Sequence, residues 1–350
     1  MPIIQLITAF VTGLILVYIS IPVIVRISKE KHLYDEPNER RINKVVVPNL
    51  GGIAIFIGVS IATLLCLHQF EFIEFRYIQA SMIILFFIGI KDDILIISPR
   101  KKLIAQIICA LILIIPGQIR FTNLHGILGF DEINYIASVA ITLIAILAII
   151  NATNLVDGID GLAASIGIFS SVIFGSKFLV TNNADYAILC CALVGSLFAF
   201  LWFNVYGTTN KIFLGDTGSL LLGLLIAVQV IQYNEFALKT TPQEIAFAPI
   251  FSLAILATPL ADMIRVFTVR ILNGKSPFAP DMGHIHHRLL KLGFSHFTST
   301  IIIVLFNCLI ITLAFAFRFL NKHVFMIFLI LVIFMLLQLP DIFIKRKKKD

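Results

Sequence analysis

The chain is poor in charge. Only 13% of its 350 residues are Asp, Glu, Lys or Arg, about half the share of an ordinary soluble domain. Hydrophobic residues make up 59%, and the mean hydropathy is +0.99. That balance excludes a water-soluble globular architecture. The five cysteines (Cys66, Cys109, Cys190, Cys191 and Cys308) make no C-x-x-C pair, and all fall in apolar runs. They read as small hydrophobes, so neither a disulfide framework nor a thiolate metal site is expected. The first run, Pro2–Val25, lacks a basic leader and a small-residue cleavage site; it reads as a retained helix rather than a signal peptide. Internal repeats and low-complexity linkers are also missing. Residues 1–340 are therefore expected to form a single transmembrane domain, followed by a basic tail at 341–350.

What the chain has is apolar runs of membrane-spanning length, from end to end. They predict an all-α, polytopic integral membrane protein with about eleven spans. The spans lie near 2–25, 51–69, 77–90, 103–118, 133–150, 162–181, 186–203, 218–233, 245–264, 299–319 and 323–340. Of the 27 Lys and Arg, 21 fall in the loops after odd-numbered spans. The positive-inside rule makes those loops cytoplasmic, with the N-terminus external and the C-terminus internal.

Every polar cluster of interest falls on that basic face. In GIKDDILIISPRKKL (89–103), Asp92 and Asp93 are adjacent. On a helix their side chains diverge by about 100°, so they suit divided labour, one near a cation and one near a nucleophile. The plainer alternative is charge balance with Lys91, Arg100, Lys101 and Lys102. In NATNLVDGIDGLA (151–163), Asn151, Asn154, Asp157 and Asp160 recur every three residues, which aligns them on one helical face. That stretch has no Lys or Arg, so its carboxylates need a metal or a cation from another loop. Gly158 and Gly161 permit close approach of phosphates or a neighbouring backbone.

FLGDTGSLLLG (213–223) sets Asp216 between two glycines at the mouth of an apolar run. Asp216, Thr217 or Ser219 can cap that helix. A helix N-terminus also suits phosphate oxygens, and a carboxylate beside it suits magnesium. Asn204, in WFN just upstream, is placed to bond substrate or position Asp216. The loop 261–293 brings His284, His286, His287 and Arg288 into five positions. H-x-H-H is not a zinc spacing, and such donors suit a diphosphate. In RRINKVVVPNLGGIAIF (40–56), Pro48, Gly51 and Gly52 break the chain at the membrane edge, and Lys44 reaches toward a phosphate. Carboxylates for a divalent cation and donors for phosphates, on one face, point to phosphoryl transfer from a nucleotide-activated substrate to a lipid.

The set DD, NATNLVDGIDGLA, FN, FLGDTGS and HIHHRL, in this order between about 31 and 296, resembles the polyprenyl-phosphate N-acetylhexosamine-1-phosphate transferases. H-x-H-H-R resembles the undecaprenyl-phosphate N-acetylglucosamine-1-phosphate transferase branch. The phospho-MurNAc-pentapeptide translocases, the runner-up, carry three His in a row followed by an acidic residue, and usually ten spans. The resemblance implies a magnesium-dependent transfer, with manganese as a substitute. A sugar 1-phosphate, N-acetylglucosamine 1-phosphate by default, passes from a UDP-N-acetylhexosamine to undecaprenyl phosphate, with release of UMP. This is the first membrane step of a cell-surface polysaccharide.

By motif, Asp216 matches the magnesium ligand, with Asp93 a second candidate. Asp92, Asp93, His284, His286 and His287 match catalytic positions. Asn154 and Asp157 match the nucleotide-side loop, and Asp160, Asn204, Arg288 and Lys44 complete the expected substrate contacts. A bacterial cytoplasmic membrane, contact with membrane lipids, no nucleic acid and a compatible homodimer follow from the same likeness. Two other classes fit less well. An ion-coupled transporter places its carboxylates near the bilayer midplane in broken helices, whereas these lie at helix ends. An intramembrane aspartyl protease leaves the histidines without a task.

Overall fold

The computed structural model describes residues 2–33, 47–67, 72–95, 97–274, 276 and 283–347. The chain runs through α1 (Pro2–Glu30), α2 (Gly51–Cys66), α3 (Phe75–Leu95) and α4 (Pro99–Ile114). A hairpin of β1 (Asn123–Ile127) and β2 (Phe130–Glu132) follows, then α5 (Tyr135–Val156), α6 (Leu162–Val180), α7 (Ala184–Leu201) and α8 (Gly215–Ala237). The last elements are α9 (Pro242–Ile255), α10 (Ala257–Leu272), the short α11 (Ile285–Lys291), α12 (His296–Ala316) and α13 (Lys322–Lys347).

Each of the eleven expected apolar segments is helical, so the all-α membrane architecture holds. The expected count of about eleven crossings is not confirmed. Among the described residues, seven helices are long and apolar enough to span: α1, α5, α6, α7 with its extension to Tyr206, α8, α12 and α13. The pair α9–α10 makes an eighth if it is one bent span. Helices α2 and α4 have 16 residues each, short of the roughly 20 a full crossing needs. Helix α3 carries Arg76 near one end and Lys91, Asp92 and Asp93 near the other.

Helix α8 is the axis of the bundle. It is buried on every side from Thr217 to Asn234, as a helix apolar all round must be. Helices α2, α3, α5 and α6 pack against it. Without a hydrophobic drive between helices in lipid, close packing depends on small residues. A methyl group at Gly52 would strike the Gly218 backbone, and one at Gly89 the Thr217 backbone. These contacts bring the start of α8 against α2 and α3.

The segment expected as one span at 245–264 is broken. Helices α9 and α10 meet at 67° around Leu256. Pro259 explains the break, since it lacks an N–H and its ring crowds the carbonyl four residues back, at Ile255. The freed Thr258 amide and hydroxyl both donate to Asn307 Oδ1 on α12, at 3.2 and 2.7 Å. The bend turns α10 toward α11. The hairpin was not anticipated either; its strands pair antiparallel, Asn123 with Glu132 and Ile127 with Phe130.

Candidate active site

The site begins with backbone pairing. Phe213 N–H donates to Pro48 O at 2.9 Å, Gly51 N–H to Phe213 O at 2.9 Å and Gly52 N–H to Leu214 O at 3.0 Å. The P-N-L-G-G turn and the F-L-G approach are thereby locked together. Gly215 then turns the chain at φ +72°, where a side chain would collide with Asn49 O and the Asp93 carboxylate.

The cap of α8 comes from another helix. Asp93 Oδ1 accepts from Asp216 N–H at 2.7 Å; Asp93 Oδ2 accepts from Thr217 N–H at 3.0 Å and Thr217 Oγ1 at 2.6 Å. The expected local cap by Asp216, Thr217 or Ser219 is thus replaced by a carboxylate on α3. Both Asp93 oxygens accept hydrogen bonds there, so its carboxylate positions the start of α8.

The Asp216 side chain is free for other work. Asn154 Nδ2, in the last turns of α5, donates to Asp216 Oδ1 at 2.6 Å and to Ser219 Oγ at 2.8 Å. Lys102, on α4, pairs with Asp216 and with Asp92 Oδ2, the latter at 3.1 Å. Asp92 Oδ1 accepts from Ile97 N–H at 2.7 Å. Adjacent on α3, Asp92 and Asp93 face different partners: Asp92 the Lys102 ammonium, Asp93 the start of α8.

Asp157 caps the C-terminus of α5 and lies among carboxylates. Burial first, then the charges of Asp216, Asp93 and Asp160, push its carboxyl up to about 8. No described side chain or amide bonds to it. Asp160 lies past the helix end, where the chain turns at Gly161 (φ +79°), and leaves the shared face. It pairs with Lys211 Nζ at 2.7 Å and His296 Nδ1 at 3.4 Å. Against the upward push of burial, those two partners hold it below its ordinary value.

The histidine block meets this loop at Gly158. A methyl group on Gly158 would collide with the His286 imidazole, so the glycine admits a ring rather than a phosphate. His286 is buried, neither ring nitrogen has a partner among the described residues, and burial with the neighbouring His287 and His284 lowers its pKa to about 3. It is neutral at pH 7 and offers a hydrogen bond rather than a charge. His284 Nδ1 donates to Asp262 Oδ2 at 2.8 Å, and Ile285 N–H donates to Asp262 Oδ1 at 3.1 Å. Asp262 on α10 is therefore what fixes the block. The His284 and His286 rings lie parallel at 5.7 Å, and His287 sits 4.2 Å from His286.

A family model described as "Glycosyl transferase family 4" matches residues 75–234. A probable undecaprenyl-phosphate N-acetylglucosaminyl 1-phosphate transferase of Bacillus subtilis is 32% identical over 305 residues, covering 86% of this chain and 82% of that protein. The chain belongs to glycosyl transferase family 4. Undecaprenyl-phosphate alpha-N-acetylglucosaminyl 1-phosphate transferases are also similar. That of Salmonella typhi is 27% identical over 86% of this chain and 80% of its own length. That of Escherichia coli K12 is 28% identical over 80% and 75%.

In this family 4 transferase, two of the expected substrate contacts also bond within the protein. Arg288 Nη1 donates to Leu337 O at 2.8 Å and pairs with Asp341 at 2.7 Å, tying α11 to α13. Asn204 is buried in a π-helical turn at Trp202–Tyr206. Its Oδ1 accepts from Gly161 N–H at 2.6 Å, and its Nδ2 donates to Ile212 O at 2.9 Å. It braces the loop that leads to Asp216. Lys44 lies outside the described residues.

Among the described residues, no three His, Cys, Asp or Glu side chains form a ready cage for a metal. The donor set nonetheless fits magnesium. Asp216, Asp92, Asp157 and Asn154 supply hard oxygens, and magnesium takes one or two carboxylates while keeping water. Asp157 is the telling member, since a carboxylate among carboxylates calls for a cation. Lys102, Asp262 and Lys211 are the functional neighbours the sequence reading did not assign. Lys102 stands ten residues after Asp92, and nothing local marks its reach to Asp216.

Proposed function

We propose that this transferase moves N-acetylhexosamine 1-phosphate from a UDP-sugar to undecaprenyl phosphate, releasing UMP. N-acetylglucosamine is the default sugar, and the product starts a cell-surface polysaccharide. The observation that carries the reading is Lys102 pairing with both Asp92 and Asp216, Asp157 lying in the field of Asp216, and neutral His286 seated on Gly158 beside it. The names of the similar proteins support the acceptor and the sugar.

An oxygen of the lipid phosphate attacks the phosphorus attached to the sugar. The bond from that phosphorus to the bridging oxygen breaks, and UMP leaves with the electron pair. A phosphate monoester has its second pKa near 6, so the nucleophile is already largely dianionic and needs orientation more than a strong base. Asp92 supplies that orientation through Lys102, whose ammonium offsets the anionic charge gathered at the attacking oxygen. His286 and His287 donate to the diphosphate, while Asp93 and Asp262 hold their neighbours in place. Asp216, with Asp92 and Asp157, would hold magnesium or manganese, which would supply positive charge at the transferring phosphoryl group.

The bias of Lys and Arg toward one set of loops supports a cytoplasmic position for this end of the bundle, in a bacterial inner membrane. The test is purified protein with undecaprenyl phosphate, magnesium and a panel of UDP-sugars, scored for UMP. Release with one or more UDP-N-acetylhexosamines is expected. Release with none of them sinks the reading.

A further inference from the structure

At the far end of the bundle, a cavity of about 250 Å³ lies between β1, α5, α8 and the α9–α10 bend. Asn234 on its wall and Asp216 are both on α8. Their 18-residue separation at about 1.5 Å per residue puts the cavity roughly 27 Å from the acidic cluster. The lining is apolar, including Phe121, Ile141, Ile149, Val230, Leu256 and Leu260.

Four polar side chains interrupt that wall: Asn123, Ser252, His125 at 3% exposure and Asn234 at 2%. His125 Nδ1 lies 2.8 Å from the Ile245 carbonyl. A carbonyl only accepts, so Nδ1 carries the proton and Nε2 keeps a lone pair. Burial keeps the imidazole below its ordinary pKa, and therefore neutral. Asn234 Nδ2 donates to Val230 O at 2.7 Å and to Ser252 Oγ at 2.9 Å, which leaves Oδ1 as a second acceptor. Neither His125 Nε2 nor Asn234 Oδ1 has a hydrogen-bond partner among the described residues. Buried acceptors without donors are costly.

We propose that this cavity is a binding site for a neutral long-chain alcohol, whose hydroxyl donates to His125 Nε2 or Asn234 Oδ1 and whose hydrocarbon fills the apolar space. At these two atoms a phosphate would set acceptors against acceptors, and an alkane would leave both unsatisfied. The occupant is thus a different molecule from a lipid phosphate, and the inference does not rest on the proposed reaction. Apolar cavities of roughly 150 Å³ already admit a benzene ring, so this one takes a segment of chain, with the remainder in the bilayer.

The test uses the full-length protein in nanodiscs and a dodecanol analogue carrying a photoreactive diazirine in its tail. Labelled peptides are mapped by mass spectrometry. Label is expected on β1, α5 and α9, competed by excess dodecanol and not by dodecane or dodecyl phosphate. Loss of one hydrogen bond in Asn234→Leu should lower labelling about fivefold. Ala148→Phe fills the cavity from a half-buried position on α5 and should abolish labelling, so the test survives if Asn234→Leu misfolds. Equal competition by dodecane, unchanged labelling in Ala148→Phe, or no label there at all (water as the only occupant) overturns the proposal.

Discussion

Asp93 on α3 accepts three hydrogen bonds from the first turn of α8, two of them from Thr217. Half of the acidic pair is therefore structural support for Asp216. Asp93→Ala removes the cap and should cost about 1–2 kcal/mol, seen as a lower unfolding temperature, with activity lost alongside. Asp92→Ala leaves the cap intact and should abolish turnover at an unfolding temperature near that of the parent. Equal stability losses in the two variants would contradict the division of labour.

Gly158 seats the His286 ring. Gly158→Ala must displace the imidazole, and misplacing a catalytic group by about 1 Å costs on the order of 10²-fold in rate. The expected signature is a fall in kcat with little change in unfolding temperature, since the glycine is on an exposed turn. Wild-type kcat in Gly158→Ala would mean His286 tolerates the shift and has no catalytic contact.

With its carboxyl pushed up to about 8, Asp157 keeps a proton that the unfolded chain, near 3.9, has already lost. The folded state then binds more protons than the unfolded one across that interval. The stability of the cation-free protein should fall as pH rises from about 4 through about 8. A divalent cation needs the ionised form, so magnesium should release protons on binding, and its affinity should rise with pH. Unfolding temperatures with chelator and with magnesium, together with calorimetry in buffers of different ionisation enthalpy, check both signs. A chelated protein that gains stability over that range would refute the assignment.

Lys102 neutralises Asp92 and Asp216 together. Lys102→Gln leaves both carboxylates without their cation, so the variant should be less stable than the parent in chelator. Magnesium should then raise its unfolding temperature by more than it raises the parent's. An equal rise in both proteins would show that Lys102 and the metal do not share these carboxylates.

The sequence made the helical segments and the carboxylate loops legible because apolar length and local spacing are properties of contiguous residues. Pairings across the bundle were not. Asp93 and Asp216 are 123 positions apart, and nothing beside Asp93 announces the helix it caps. The bond of Asn204 to the Gly161 amide was not legible, because a lone Asn at a helix end carries no sign of it. The pairing of Arg288 with Asp341 was not legible either, because that partner lies on the last helix. The bend at Leu256 did have a local cause in Pro259, hidden within an apolar run that otherwise counts as one span.

The central claim is tested most directly with a UDP-sugar carrying ³²P in the phosphate next to the sugar. The parent protein, with magnesium and undecaprenyl phosphate, should move the label into the organic phase as a lipid diphosphate. Asp216→Asn, folded to the same unfolding temperature within error, should leave the label in water. Label released as free phosphate, a labelled protein adduct formed without lipid, or full transfer by Asp216→Asn would contradict the account.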